Sequence, residues 1–206
     1  MTRLYLSRAF SLSGIIAPLY IVAAIFIAGT LTPGYNHLTD TISVLSSQSS
    51  KNPWLMITGF IVYGVLITGF AYALYLKLGR GVLSRTTWGA MTVYGICIIL
   101  GGIFRDSPGA IKNTEGILHN AVIIISCFAF LIGIIMFVVD VYKNPFRSGF
   151  TWFTIAATIM GLILSIIFVP QLRVPMAGLL QRVFYFIILL WIEAVSIWLF
   201  RSSFKP

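Results

Sequence analysis

Charge is what this 206-residue chain has least of. Only 9% of its residues are Asp, Glu, Lys or Arg, five of them acidic, and it holds two histidines and two cysteines. A soluble domain carries about 25% charged residues. A chain that is 59% hydrophobic, with a mean hydropathy of +0.98, has too little polar surface to wrap a water-soluble core and belongs in a bilayer. A soluble enzyme, a disordered tail and a secreted disulfide scaffold are thereby excluded. Cys97 and Cys127 both fall inside apolar runs, without the spacing of a disulfide framework or a zinc ribbon, and read as small buried apolar residues. The net charge of +9 comes from fourteen Lys and Arg scattered singly along the chain. Nucleic-acid binding needs them clustered. The expected partners are instead membrane lipids, with cations at helix ends beside anionic headgroups.

A helix crosses the hydrocarbon core with about 20 mostly apolar residues. Six stretches qualify: Leu12 to Leu31, Trp54 to Leu76, Trp88 to Phe104, Ile117 to Tyr142, Phe150 to Val169 and Leu179 to Phe200. Their continuous apolarity excludes barrel strands, which alternate. The fold class is therefore all-α, a polytopic six-helix transmembrane bundle forming a single domain over 1–206. The first run is too long for a signal-peptide core and reads as an uncleaved span. Trp54, Trp88, Trp152 and Trp198 fall near span ends, as interfacial anchors do. The termini and the second and fourth connections hold nine Lys and Arg, against five in the first, third and fifth connections. The positive-inside rule then predicts cytoplasmic termini in the cell membrane. Val62-Tyr63-Gly64-Val65 recurs as Val93-Tyr94-Gly95-Ile96, a hint of duplication too short to define an inverted repeat.

The unusual chemistry lies in the outer connections. After Pro33-Gly34, helical spacing places Leu38, Ile42 and Leu45 on one side and Asn36, His37, Asp40, Ser43 and Ser47 on the other, predicting a short amphipathic helix. Beyond the third span, Arg105-Asp106 precedes Asn113-Thr114-Glu115, where Asn113 or Thr114 can cap the fourth helix and Glu115 suits its dipole. His119 lies a turn deeper, where polar groups face a bundle interior or a wet cavity. Asp106 either pairs with Arg105 or reaches His119. His37, Asp40, Asp106 and His119 together can supply a zinc-like His/Asp site with an open position for water. Arg105, Arg173 and Arg182, with Gln171 and Gln181, ring the same mouth and can grip a phosphate or carboxylate, though snorkelling is the plainer role for each. Asp140 reads as a surface partner of Lys143. Glu193 lies inside the sixth span and needs a hydrogen bond or a proton there.

Gly14-Ile15-Ile16-Ala17-Pro18, the run from Pro33 to Leu45, Gly102-Ile103-Phe104-Arg105-Asp106 and Gly116-Ile117-Leu118-His119 resemble the prokaryotic six-helix membrane proteins grouped as domain of unknown function 998. The resemblance covers most of the chain. It implies a six-helix bundle and draws attention to Asp40, Ser43, Asp106 and His119, and it implies no activity. A weaker likeness is to membrane-embedded metal hydrolases related to alkaline ceramidases, which gather Ser, Asp and His around zinc. Those have seven spans and three metal histidines, and two histidines here leave only a His/Asp variant.

Three functions compete. In a metal-dependent lipid or isoprenoid hydrolase, His37, Asp106 and His119 hold a divalent metal such as zinc, Asp40 is the general base, Ser43 orients substrate, and Arg105 or Arg182 binds the headgroup. In a non-enzymatic carrier or sensor, the mouth binds a lipid or small anionic ligand and Glu193 couples. In a haem protein, His37 and His119 are axial ligands.

Overall fold

The computed structural model describes residues 2–79, 81–107, 113–143, 151–168 and 176–202, and only the backbone of 2–4 and 164–168 is described. Six helices follow one another: α1 (Thr2–Thr30), α2 (Pro53–Leu78), α3 (Val82–Ile103), α4 (Thr114–Tyr142), α5 (Thr151–Phe168) and α6 (Ala177–Ser202). Five of them, α1, α2, α3, α4 and α6, are long and apolar enough to cross a membrane, and the described residues include no strand. The chain is thus a multi-pass, membrane-embedded helical bundle. α1 starts ten residues before its apolar run and α3 six before its own. Hydropathy marks only the part of a helix that meets hydrocarbon, whereas the backbone ladder satisfies itself well into the headgroup region.

Local signals end the helices where they should. Gly34, at φ 80°, turns the chain after α1, Pro53 opens α2, and the Asn113 side chain accepts the Gly116 amide at 2.9 Å to cap α4. Each helix packs on its neighbours in sequence and α6 returns to α1, so the six close into a ring. Inside it Trp191 of α6 is fully buried, edge-on to Phe70 of α2 and to Phe130 and Phe137 of α4, with ring centroids 5.4–6.1 Å apart. Its indole N–H donates to Thr154 of α5 at 3.3 Å. Trp54 and Trp152 are 73% and 80% exposed, as interfacial anchors should be.

The recurring Tyr-Gly pairs meet where antiparallel α2 and α3 cross. A Cβ on Gly64 would lie 2.6 Å from the Gly95 carbonyl oxygen, and one on Gly95 would lie 2.9 Å from that of Gly64. The neighbouring Tyr63 and Tyr94 hydroxyls are 3.1 Å apart. Small residues allow this approach, and each helix supplies the same pair to a local two-fold. The repetition has a packing origin that needs no duplicated domain.

Candidate functional site: the loop-bearing mouth

The α1–α2 connection lies at the same end of the bundle as the start of α6 and the α3–α4 turn. Its first part is not helical. The Asn36 amide donates to the Asp40 carboxylate at 2.8 Å, the Leu38 amide to the Asn36 side chain at 2.9 Å, and the Asp40 amide to the Asn36 carbonyl at 2.8 Å. Asx side chains offer backbone amides partners that compete with a helix. The expected amphipathic helix therefore shrinks to a five-residue 3-10 helix, Ile42–Ser46, that buries Ile42 and Leu45, while Leu38 is left 52% exposed.

This loop is fastened to α6. The first amides of a helix have no partner within it; here Gly178 N–H donates to Thr39 O at 3.3 Å and Leu179 N–H to Leu38 O at 2.9 Å. Gln181 reaches back to accept the Ile42 amide at 2.6 Å. A Cβ on Gly178 would sit 2.5 Å from Asp40 O and 2.8 Å from His37 O, so the approach requires glycine.

Arg182 completes the fastening. One terminal nitrogen donates to the carbonyls of Asp40 and Gly178, at 3.0 and 2.9 Å. The other donates to the Tyr35 hydroxyl and to His37 Nδ1, the latter at 3.1 Å. A guanidinium only donates, so His37 Nδ1 is an acceptor and the ring is neutral with its proton on Nε2. Burial, and then the Arg182 charge, hold His37 below the usual imidazole range. Burial raises the Tyr35 phenol, against the lowering by Arg182. All four partners of Arg182 are neutral atoms, and the ion pair of Arg105 with Glu115, at 3.4 Å, lies elsewhere.

The second group is centred on the α3–α4 turn. Ser43 Oγ donates to Asp106 Oδ2 at 3.1 Å, and the Gln48 amide donates to Asp106 O at 3.0 Å. Glu115 accepts the Arg105 amide at 2.9 Å and the Gln48 side chain at 3.0 Å, so it bridges two connections as well as matching the α4 dipole. His119, 3% exposed, places Nδ1 3.0 Å from Gly101 O and 2.8 Å from Phe104 O. Carbonyls only accept, so Nδ1 carries a proton and His119 terminates α3 by taking up its last carbonyls.

The sequence-predicted residues therefore divide. The structure brings Ser43 to Asp106, and His37 to Arg182 beside the Asp40 main chain. His37 and His119 belong to different groups, and among the described residues no three His, Cys, Asp or Glu side chains gather as a metal set. Asp140 is 9% exposed rather than a surface carboxylate. Glu193 is half-buried in α6, with Oε2 buried and without a hydrogen-bond partner among the described residues, eleven residues or about 16 Å along the helix from Arg182. Gln171 and Arg173 lie outside the described residues. Gln181, which the sequence already places at this mouth, holds the loop by accepting an amide rather than by gripping an anion, whereas the only sequence signal for Tyr35 is its place beside Pro33-Gly34.

No curated protein and no solved structure matches the chain. The model of the family described as "Protein of unknown function (DUF998)" matches residues 15–198, and the chain belongs to that family.

Proposed function

We propose that the chain is a non-hydrolytic membrane binding protein, of carrier or sensor type, whose mouth takes the anionic group of a lipid headgroup or small polar ligand. The observation that carries this reading is the Arg182 cation: its hydrogen bonds lead only to neutral acceptors, so it fixes the loop while its positive field stays uncompensated by those partners. Beside it a recess of about 190 Å³ is lined by Thr32, Tyr35, Asp40, Ser50 and Lys51, among others. Oriented charges in a concave, partly desolvated site attract opposite charge more strongly than the same groups in open water. The excess of Lys and Arg on the side of the termini supports a mouth turned away from the cytoplasm. The metal hydrolase has less support, because its proposed ligands fall into two groups, each engaged with protein partners. Glu193 is too far along α6 to contact a ligand at the mouth.

Purified, delipidated protein is unfolded in the presence of phosphatidylglycerol, phosphatidylethanolamine or uncharged diacylglycerol. The phosphate-bearing lipids should raise the unfolding midpoint by several degrees more than diacylglycerol. Equal midpoints for all three would sink the reading, and zinc-dependent release of a headgroup would replace it with the hydrolase.

A further inference from the structure

The recess beside Arg182 holds opposite charges that do not neutralise one another. Asp40 and Lys51 both line it. They form no ion pair with each other. The Asp40 carboxylate is fixed by the Asn36 amide on Oδ2 at 2.8 Å and the Thr39 hydroxyl on Oδ1 at 3.2 Å. A carboxylate has about four acceptor positions, so it is oriented without being saturated. Ser50 Oγ, also in the lining, is buried with no hydrogen-bond partner among the described residues. A buried hydroxyl without a partner is destabilising, and a ligand N–H or acceptor that reaches it removes that cost.

We propose that this recess recognises a zwitterion, a primary ammonium and a phosphate or carboxylate a few bonds apart in one molecule. Asp40, with Ser50, takes the ammonium, and Lys51, under the field of Arg182, takes the anion. This rests on the reading of the mouth as a headgroup-binding site and names its ligand class. The nitrogen must carry N–H bonds. A quaternary ammonium donates none and is recognised by a cage of aromatic rings, whereas Tyr35 is the one aromatic residue in this lining. A purely anionic headgroup leaves the Asp40 carboxylate facing like charge. The chemistry is shared by a phospholipid with an ethanolamine headgroup and by soluble zwitterions of the same size.

The test uses the full chain in detergent, with binding read from the unfolding midpoint. The soluble probes are glycerophosphoethanolamine, glycerophosphocholine and glycerol phosphate. The lipid probes are vesicles of the matching phosphatidylethanolamine, phosphatidylcholine and phosphatidylglycerol. The ethanolamine compounds should bind at least tenfold more tightly than their choline and glycerol counterparts. Preference in the soluble series identifies a free ligand, and preference confined to the vesicles identifies a lipid. Lys51→Ala, an exposed residue whose loss leaves the helices intact, should weaken ethanolamine binding at least fivefold, and Ser50→Ala should weaken it without lowering the apo midpoint. Equal binding of all three headgroups, or no effect of Lys51→Ala, overturns the zwitterion while leaving the mouth a phosphate site. Absence of binding by any probe overturns both.

Discussion

Replacing Arg182 by methionine keeps the length and much of the apolar stem of the side chain and removes its hydrogen bonds. Four are lost at once: to Asp40 O, Gly178 O, the Tyr35 hydroxyl and His37 Nδ1. A hydrogen bond involving a charged group contributes about 1.5–3 kcal/mol when buried. Arg182 is only partly buried, and water will reach some of the abandoned acceptors. The net loss from Arg182→Met is then on the order of 3 kcal/mol, and from Arg182→Lys, which keeps the charge without the planar fork, about half that. Reversible unfolding in mixed micelles, followed by circular dichroism as an ionic detergent is added, measures both. His37 supplies an independent reading. Its folded pKa lies below the ordinary imidazole value of 6.5, so the unfolded chain binds the proton more strongly. Stability from this residue is complete above pH 6.5 and is lost as pH falls through the folded pKa. In Arg182→Met one of the two causes of the shift is gone, and the His37 resonance should titrate closer to 6.5, with a shallower loss of stability in acid. With two histidines in the chain, one substitution assigns the imidazole signals. A variant within about 0.5 kcal/mol of the parent, or an unmoved His37 titration, would refute the account of Arg182 as the fastening.

Two further outcomes follow from packing. Gly64→Val or Gly95→Val puts a branched side chain against a facing backbone carbonyl 2.6–2.9 Å away and should cost at least about 1–3 kcal/mol in the same assay, whereas Gly81→Ala, with nothing within 4 Å, should be near neutral. His119→Ala strips the carbonyls of Gly101 and Phe104 of their donor and should destabilise by about 1–3 kcal/mol, with partial recovery in His119→Asn and no change in bound metal by elemental analysis.

The bundle was legible in the sequence because hydrocarbon imposes long unbroken apolar runs, which nothing else in a chain this poor in charge can explain. The helix ends were less so, since Thr2 to Ser11 and Val82 to Thr87 continue helices beyond the apolar segment. At the mouth, the residues that matter were visible by their chemistry but not by their pairing. His119 drew attention through its depth, yet its partners are main-chain carbonyls on another helix, which composition cannot display. Asn36 and Asp40 fit an amphipathic pattern until their side chains are seen to bind the backbone of the same loop. Arg182 stood out as a cation, whereas its dependence on Tyr35 and the glycine at 178 arises only when α6 folds back onto a segment some 140 residues earlier.

The position of α6 has a consequence for how the molecule is made. Trp191 and Arg182 lie nine residues apart on the last helix, one filling the centre of the ring and the other fixing the first loop. During synthesis the preceding helices are made with that loop undocked and the centre lacking its largest side chain. Core and mouth are completed together when the final helix is inserted. A premature stop anywhere before residue 177 therefore leaves neither, and the nascent protein cannot form the mouth before its core is sealed.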